Sequence, residues 1–164
     1  MFEHFDKPQE LFEYKLGTAL TMEHDSLNAL RELEMASQSE EVRNLFAHHQ
    51  GETKQQIANL EQAFQLLGVE PDQSPSPTTK GLMKEGAALV AKTDKSLVDS
   101  VTLSAALENE HYEIAAYQSL IISAEAMGAT QVCDLLKQNL DQEMHTSEEL
   151  NQAARMAAHA MPAA

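Results

Sequence analysis

Apolar residues recur at helical spacing from about residue 9 to about residue 158, and a glutamate breaks the stripe in each of the four long stretches that carry the pattern. Such periodicity leaves little choice of fold class. β-Branched residues are scattered, aromatics make up 5% of the chain, and no segment alternates apolar and polar residues for long, so strands are not expected. The chain is predicted to be all-α. Its 164 residues, 43% hydrophobic, suit a single domain spanning 1–164, with one sizeable core over about residues 9–158 and a flexible C-terminal tail.

Helix punctuation divides the pattern. A first helix is expected over about Gln9–Ala36, with Pro8 in its opening turn and "SQS" at its end, and with Phe12, Leu16, Ala19, Leu20, Leu27 and Leu30 as its stripe. The second follows the N-cap Ser39, carries Glu40 and Glu41 in the dipole-favoured first turn, and ends at Gly68. Phe46, Ile57, Leu60, Phe64 and Leu67 mark its buried side. The loop-like "VEPDQSPSPTT" (69–79) leads into a short helix over about Lys80–Lys92. A third long helix is expected from about Lys95 to Met127, stopped by Gly128, and a fourth from about Thr130 into "ARMAAHAMPAA". Four helices of roughly 28 residues, about 42 Å each, joined short, long, short, predict an antiparallel four-helix bundle. Its middle connection is a long crossover containing a short extra helix, the connectivity of ferritin-like folds.

Charge narrows the partners. A formal net charge of −15 and a pI near 4.7 argue against sequence-independent binding to nucleic acid or to an anionic membrane, because both require clustered Lys and Arg. The opening "MFEHFDKPQELFEY" has acids and a proline where a secretory signal needs a basic start and an apolar run, and no stretch approaches about 18 apolar residues. A soluble, cytoplasmic protein is expected. Cys133, the single cysteine, allows neither an intrachain disulfide nor a thiolate metal cluster and reads as a small buried hydrophobe.

The segment "LENEHYEIAAY" (107–117) concentrates the interruption. With Leu107 as zero and about 100° per residue, Leu103, Ile114 and Ile121 fall within about 40° of the buried direction. Glu110 lies about 60° from it and Glu113 about 120°, on one flank with Tyr117 between them. Glu108 and Tyr112 fall on the opposite flank, and His111 is expected near the site or packed beside it. The other stripes are broken by Glu23 between Leu20 and Leu27, by Glu52 on the face of Leu45 and His49, and by Glu143 between Leu140 and Leu150.

Each of these glutamates is near the middle of its own helix, and in an antiparallel bundle those middles share one level. Taken singly, a glutamate bordering a core stripe usually snorkels or pairs with a neighbour. Five converging carboxylates cannot all stay ionised in a dry interior, and Arg31, Lys54 and Lys137 are out of phase with them. Metal cations fit better: carboxylates with at most one or two imidazoles suit iron or manganese, and two divalent ions about 3.5–4 Å apart would neutralise four charges.

The segments "EHYEIAAY" with "LIISAEAMG", "HHQGETKQQIANLEQAFQLLG" and "LKQNLDQEMHTSEEL" resemble the DUF892 family of ferritin-like bacterial stress proteins, of the YciF and YciE type. The resemblance covers roughly residues 10–152, including the crossover helix "KGLMKEGAALV". It implies a homodimer of bundles related to rubrerythrin and manganese catalase, with a dinuclear iron or manganese centre whose ligands are Glu23, Glu52, Glu110, Glu113 and Glu143. Two positions depart from the pattern of many relatives: Gln56 stands where they carry His, and Ser147 where they carry Asp. Both belong beside the ligands. The Glu-x-x-His expected on two helices of a di-iron bundle is spelled by "ENEH" (108–111), yet Glu108 faces away from the stripe. His49, one turn before Glu52, is the remaining nitrogen donor, or else a buried histidine bonded to a carboxylate. Tyr117 is read either as a donor or redox-active phenol beside the site, or as a half-buried residue filling the bundle. His24 and His48 are expected at the surface, and His145 pointing away from Glu143.

Two classes of function follow. In the first, a dinuclear iron or manganese protein of the stress response reacts with peroxide or dioxygen. In the second, a dimeric bundle with little or no metal acts by interaction, its carboxylates sharing protons with His49, Gln56 and Tyr117.

Overall fold

The computed structural model describes residues 4–160. Its elements are α1 (Pro8–Ala36), α2 (Glu40–Leu67), α3 (Pro77–Val90), a 3₁₀ turn (Lys95–Leu97), α4 (Val98–Ala126) and α5 (Thr130–Ala160). Helix is the regular structure throughout the described residues, as the periodicity predicts.

Punctuation residues act where expected, with local adjustments. Pro8 sits in the first turn of α1, where its missing N–H is no loss. At the other end Ser37 turns the chain: its Oγ donates to the Leu33 carbonyl at 2.7 Å and meets Thr102 Oγ1 of α4 at 3.1 Å. Ser39 caps α2 by accepting from the Val42 N–H at 3.2 Å. Gly68 at φ 75° and Gly128 at φ 68° end α2 and open the turn after α4, in left-handed backbone that favours glycine. The short helix begins at Pro77 rather than near Lys80, because Pro77 opens the helix after Ser76. The third long helix starts as a 3₁₀ turn: Asp94 accepts from the Ser96 N–H at 2.9 Å and tightens Lys95–Leu97 before α-geometry sets in at Val98. At the tail α5 stays helical to Ala160, and residues 161–164, part of the tail expected to be flexible, lie outside the described residues.

Contacts across the molecule give the pairing. From α1 to α4 the hydrogen-bonded pairs are Ser37–Thr102, Ser26–Asn109 and Glu23–Tyr117, with residue number rising on one helix as it falls on the other. Between α2 and α5 the pairs are His49–Glu149, Glu52–Thr146 and Asn59–Asn139, again in opposite directions. Together with the short turns joining α1 to α2 and α4 to α5, these pairs place each long helix beside two others in a helical bundle.

The core is split in two along its length. One apolar cluster holds Phe12, Leu16, Leu60, Phe64, Leu120 and Leu136, with the buried Cys133. The other holds Leu30, Val42, Phe46, Leu103, Ala106 and Leu150. Between the two clusters every long helix carries buried polar residues, with Leu27 the buried apolar residue among them: Glu23 and Ser26 on α1, Thr53 and Gln56 on α2, Glu110 and Glu113 on α4, Asn139, Glu143 and Thr146 on α5.

The crossover is seated by one glycine. A Cβ on Gly17 would lie 2.8 Å from both the Asp72 carbonyl oxygen and Ser74 Oγ, so α1 has no side chain where the loop 69–76 crosses it. Gly51 in α2 has open space around it. Alanine should therefore act oppositely at the two positions. Gly51→Ala is expected to raise stability by about 0.8–1 kcal/mol through helix propensity, whereas Gly17→Ala should lower it by about 1 kcal/mol or more because overpacking outweighs the same gain. Urea unfolding midpoints measure both.

Candidate metal centre

Glu110, Glu113 and Glu143 meet inside the polar layer. One carboxylate oxygen from each lies within 4.8 Å of the others, and all three side chains are buried. They converge because Glu110 and Glu113 sit three residues apart on α4, on one face, while α5, antiparallel to α4, presents Glu143 opposite. The buried face of α4 runs through Leu103, Ala106, Glu110, Glu113, Tyr117, Leu120 and Ala124. Its centre is therefore the glutamates and Tyr117 themselves. The expectation that took Leu107 and Ile114 as the buried direction is corrected, since both are only half-buried. Glu110 and Glu113 do not flank the stripe; they carry it.

Charge has little to offset it there. Among the described residues no lysine or arginine is buried, and Glu23 Oε2, Glu110 Oε2, Glu113 Oε1 and Glu143 Oε1 are buried without a hydrogen-bond partner. Burial pushes the Glu23 carboxyl up to about 8, against a hydrogen bond from Tyr117 that pulls it down. Burial also holds Glu110 well above the usual carboxylate range; a hydrogen bond shared with Glu143 works against that, and the charges of Glu113, Glu23 and Glu52 add to it. Glu113 and Glu143 are raised by burial first and then by their neighbours' charges, with Ser26 and Asn109 partly relieving Glu113.

Glu23 belongs to the same layer through a second device. The Tyr117 hydroxyl donates to Glu23 Oε1 and accepts from Asn139 Nδ2 at 3.0 Å. Asn139 Oδ1 accepts from Asn59 Nδ2 at 2.7 Å, and Asn59 Oδ1 from Gln55 Nε2 at 3.0 Å. Every donor in this chain points the same way, from the surface toward Glu23. Burial raises the Tyr117 phenol well above its ordinary value of 10.0, so it keeps the proton that it donates.

The remaining expected residues are dispersed around this centre. Glu52 is half-buried at the rim, its side chain 19% exposed, and accepts from the Thr146 hydroxyl at 3.1 Å, with His48 Nε2 3.8 Å from its other oxygen. His49 is buried with Nε2 3.4 Å from Glu149 Oε2, and its Nδ1 lacks a partner; burial holds it below its ordinary 6.5, so it stays neutral. Gln56 is buried, and its backbone carbonyl, not its side chain, accepts from Asn139 Nδ2 at 3.2 Å. Ser147 is buried but lines a surface recess with His111 and Arg155, with no hydrogen bond to the glutamates. Tyr117 is fully buried rather than half-buried. His111 is exposed and lines that same surface recess rather than packing in the bundle, while Tyr112 is half-buried against the core instead of outside it. His24 is half-buried rather than at the surface, and Glu108, His48 and His145 are exposed. Sequence reasoning missed Asn59, Asn139 and Thr146. Their signal was available: Leu136, Asn139, Glu143, Thr146 and Leu150 share one helical face, and only the charged member was singled out.

Comparison with known proteins gives a consistent set of relatives. The family described as "Domain of unknown function (DUF892)" matches residues 7–161. Protein YciF of Escherichia coli (strain K12) is 29% identical over 148 residues, 89% of each chain. The crystal structure of the E. coli stress protein YciF superposes with a TM-score of 0.90 at 26% identity, covering 96% of this chain and 100% of that one. YcfI from Rhodopseudomonas palustris gives a TM-score of 0.87 at 29% identity over 92% and 98%. A protein from Xanthomonas campestris pv. campestris, at 22% identity and a TM-score of 0.74 over 94% and 95%, shares the fold. Among the described residues no helix is long and apolar enough to cross a membrane.

The raised carboxyls make a signed prediction about pH. Between the ordinary 4.5 and about 8, folded Glu23 retains a proton that the unfolded chain has released. Its stabilising contribution is thus full below 4.5 and is lost as pH rises toward 8. His49 acts in the reverse sense only below its ordinary 6.5, so the window to examine is pH 8 to 6.5. Metal-free protein should gain thermal midpoint on acidification across that window, and Glu23→Gln should flatten the slope; equal slopes in both proteins would refute the assignment. Asn139→Leu should cost about 1–3 kcal/mol by stranding Asn59 and Tyr117. Adding Asn59→Leu should then recover part of that loss, as urea denaturation of the two variants will show.

Proposed function

We propose that this chain, which belongs to the DUF892 family, holds one or two divalent metal ions in the polar layer of a ferritin-like antiparallel four-helix bundle. The observation that carries the reading is the convergence of Glu110, Glu113 and Glu143 with an unpartnered buried oxygen on each. Four carboxyls with no buried ammonium or guanidinium nearby call for protons or cations. A donor set of carboxylate oxygens suits hard divalent ions, iron or manganese among them. Glu110, Glu113 and Glu143 would hold the first ion, and Glu23 and Glu52, whose charges act on Glu110, are the remaining carboxylates for a second.

Bound iron or manganese would supply Lewis acidity and two accessible oxidation states toward peroxide or dioxygen. The chain's own residues prepare that environment. The two apolar clusters exclude water from either side of the layer. Tyr117, fixed as a donor by Asn139, points its hydroxyl proton at the Glu23 oxygen it faces. Thr146 orients Glu52 at the rim. A role in the stress response is supported by the similarity to YciF, named a stress protein; a cytoplasmic homodimer belongs to the same reading.

A second reading has its own observation. The carboxylate oxygens of Glu110 and Glu143 lie within 4.8 Å of each other, so protons held between them would relieve the repulsion without metal, giving a bundle that acts by interaction. Metal analysis separates the two. Full-length protein reconstituted with Fe(II) or Mn(II) and desalted is expected to retain one ion per chain if the three-carboxylate site alone fills and close to two if Glu23 and Glu52 complete a second, by mass spectrometry. The double substitution Glu110→Ala, Glu143→Ala should lose them while circular dichroism still reports helix. Wild-type protein that folds and retains no metal would leave the metal-free bundle standing.

A further inference from the structure

Beneath the crossover helix lies a cavity of about 250 Å³, bounded by α1, α3 and α4. Its two ends differ in chemistry. Ser26, Asn109 and Glu110 form one end, tied together by the 3.0 Å bond from Asn109 Nδ2 to Ser26 Oγ. The α3 helix runs alongside α1 in the same direction, since Thr79 before the cavity bonds Asp25 at 2.8 Å. Leu33 of α1 and Val90 of α3 therefore mark the opposite, apolar end. The walls between are aliphatic, and α3 sits close on α4: a Cβ on Gly86 would lie 3.2 Å from Ala105 Cβ.

Glu110 is common to the cavity and the carboxylate cluster, and it is buried with Oε2 unpartnered. We propose that this cavity binds a small neutral molecule with an aliphatic body and one hydrogen-bonding end, held with that end among Ser26, Asn109 and Glu110 and its body toward Leu33 and Val90. Three physical arguments select this class. An aliphatic wall rewards burial of an apolar body at about 25 cal/mol per Å². A charged head would surrender its hydration at the buried end, where Ser26 and Asn109 are already bonded to each other. Anions also meet Glu32 in the lining and a chain of net charge −15. For scale, a 150 Å³ cavity lined by aliphatic and aromatic side chains takes benzene, so this one suits a molecule of about ten heavy atoms. Delivery of such a molecule to a metal-bearing centre rests on the function proposed above; the binding itself does not.

1-Octanol, octanoate and octylammonium share one chain and differ in head charge. Calorimetric titration of each into the full-length protein, metal-free and metal-loaded, should show saturable 1:1 binding of octanol at least about tenfold tighter than either ion, a difference of about 1.4 kcal/mol. Ala29→Phe and Leu33→Phe fill the cavity from its half-buried α1 side, and each should weaken octanol by at least about tenfold with the helical circular dichroism spectrum kept. Either ion binding as tightly as octanol overturns the proposal, as does octanol binding that neither folded variant weakens, or no octanol binding up to its solubility. A second copy of the chain seated over the mouth would appear as octanol affinity falling as protein concentration rises, and that too overturns it. Octanol binding with no retained metal sinks the metal reading alone; retained metal with no octanol binding sinks this proposal alone.

Discussion

Four carboxyl groups buried at one level of a helical bundle repel one another, and the rest of the architecture is organised around containing that repulsion. Glu23, Glu110, Glu113 and Glu143 are each at most 3% exposed. An unpaired buried ion costs several kcal/mol, while a fully buried aliphatic or aromatic side chain contributes roughly 1.5–3 kcal/mol. Four simultaneous ions would therefore cancel a large part of either apolar cluster. The layer persists because its charge can be removed by protons or by cations, and because two apolar clusters grip the helices on both sides of it.

Polar groups that carry no charge settle the geometry of the layer. Asn139 spends its amide on the Tyr117 hydroxyl and the Gln56 carbonyl, leaving the phenol proton nowhere to point but Glu23. Fixing a proton in this way makes one Glu23 oxygen a hydrogen-bond acceptor and leaves the other without a partner. Asp99 performs a comparable service at the end of the bundle. Its carboxylate accepts from the Gln38 and Ser39 N–H groups at 2.6 and 2.9 Å, binding the α1–α2 turn to the first turn of α4. Register between helices is thus set at several levels, and three glutamates from two helices can meet within 4.8 Å.

The crossover links fold and site. A connection of this length was visible from its prolines, but its seat on Gly17 and its helix over one side of the centre are tertiary facts. Because α3 covers α1 and α4 beside Glu110, the carboxylate layer has an aliphatic neighbour on one side, whereas on the α2–α5 side it faces Thr146, Glu52 and the histidines. The two approaches to one centre therefore differ in polarity.

What the residues determine by themselves is local and periodic. Helix type, the stops at Gly68 and Gly128, and the presence of glutamates in every long stripe follow from a repeat near 3.6 residues and from backbone that favours glycine. The true buried direction of α4 was not legible, because its stripe is made of glutamate and tyrosine, and a search for apolar residues settles on Leu107 and Ile114 beside it. Nor could phase distinguish Glu52 from Glu143: each interrupts an apolar face. Only tertiary packing separates them: α2 against α5 leaves Glu52 at the rim on Thr146, and α5 against α4 brings Glu143 within reach of Glu110. Periodicity reports an angle about one helix axis, whereas a site is a set of distances between axes, and those arise only when the helices are packed together.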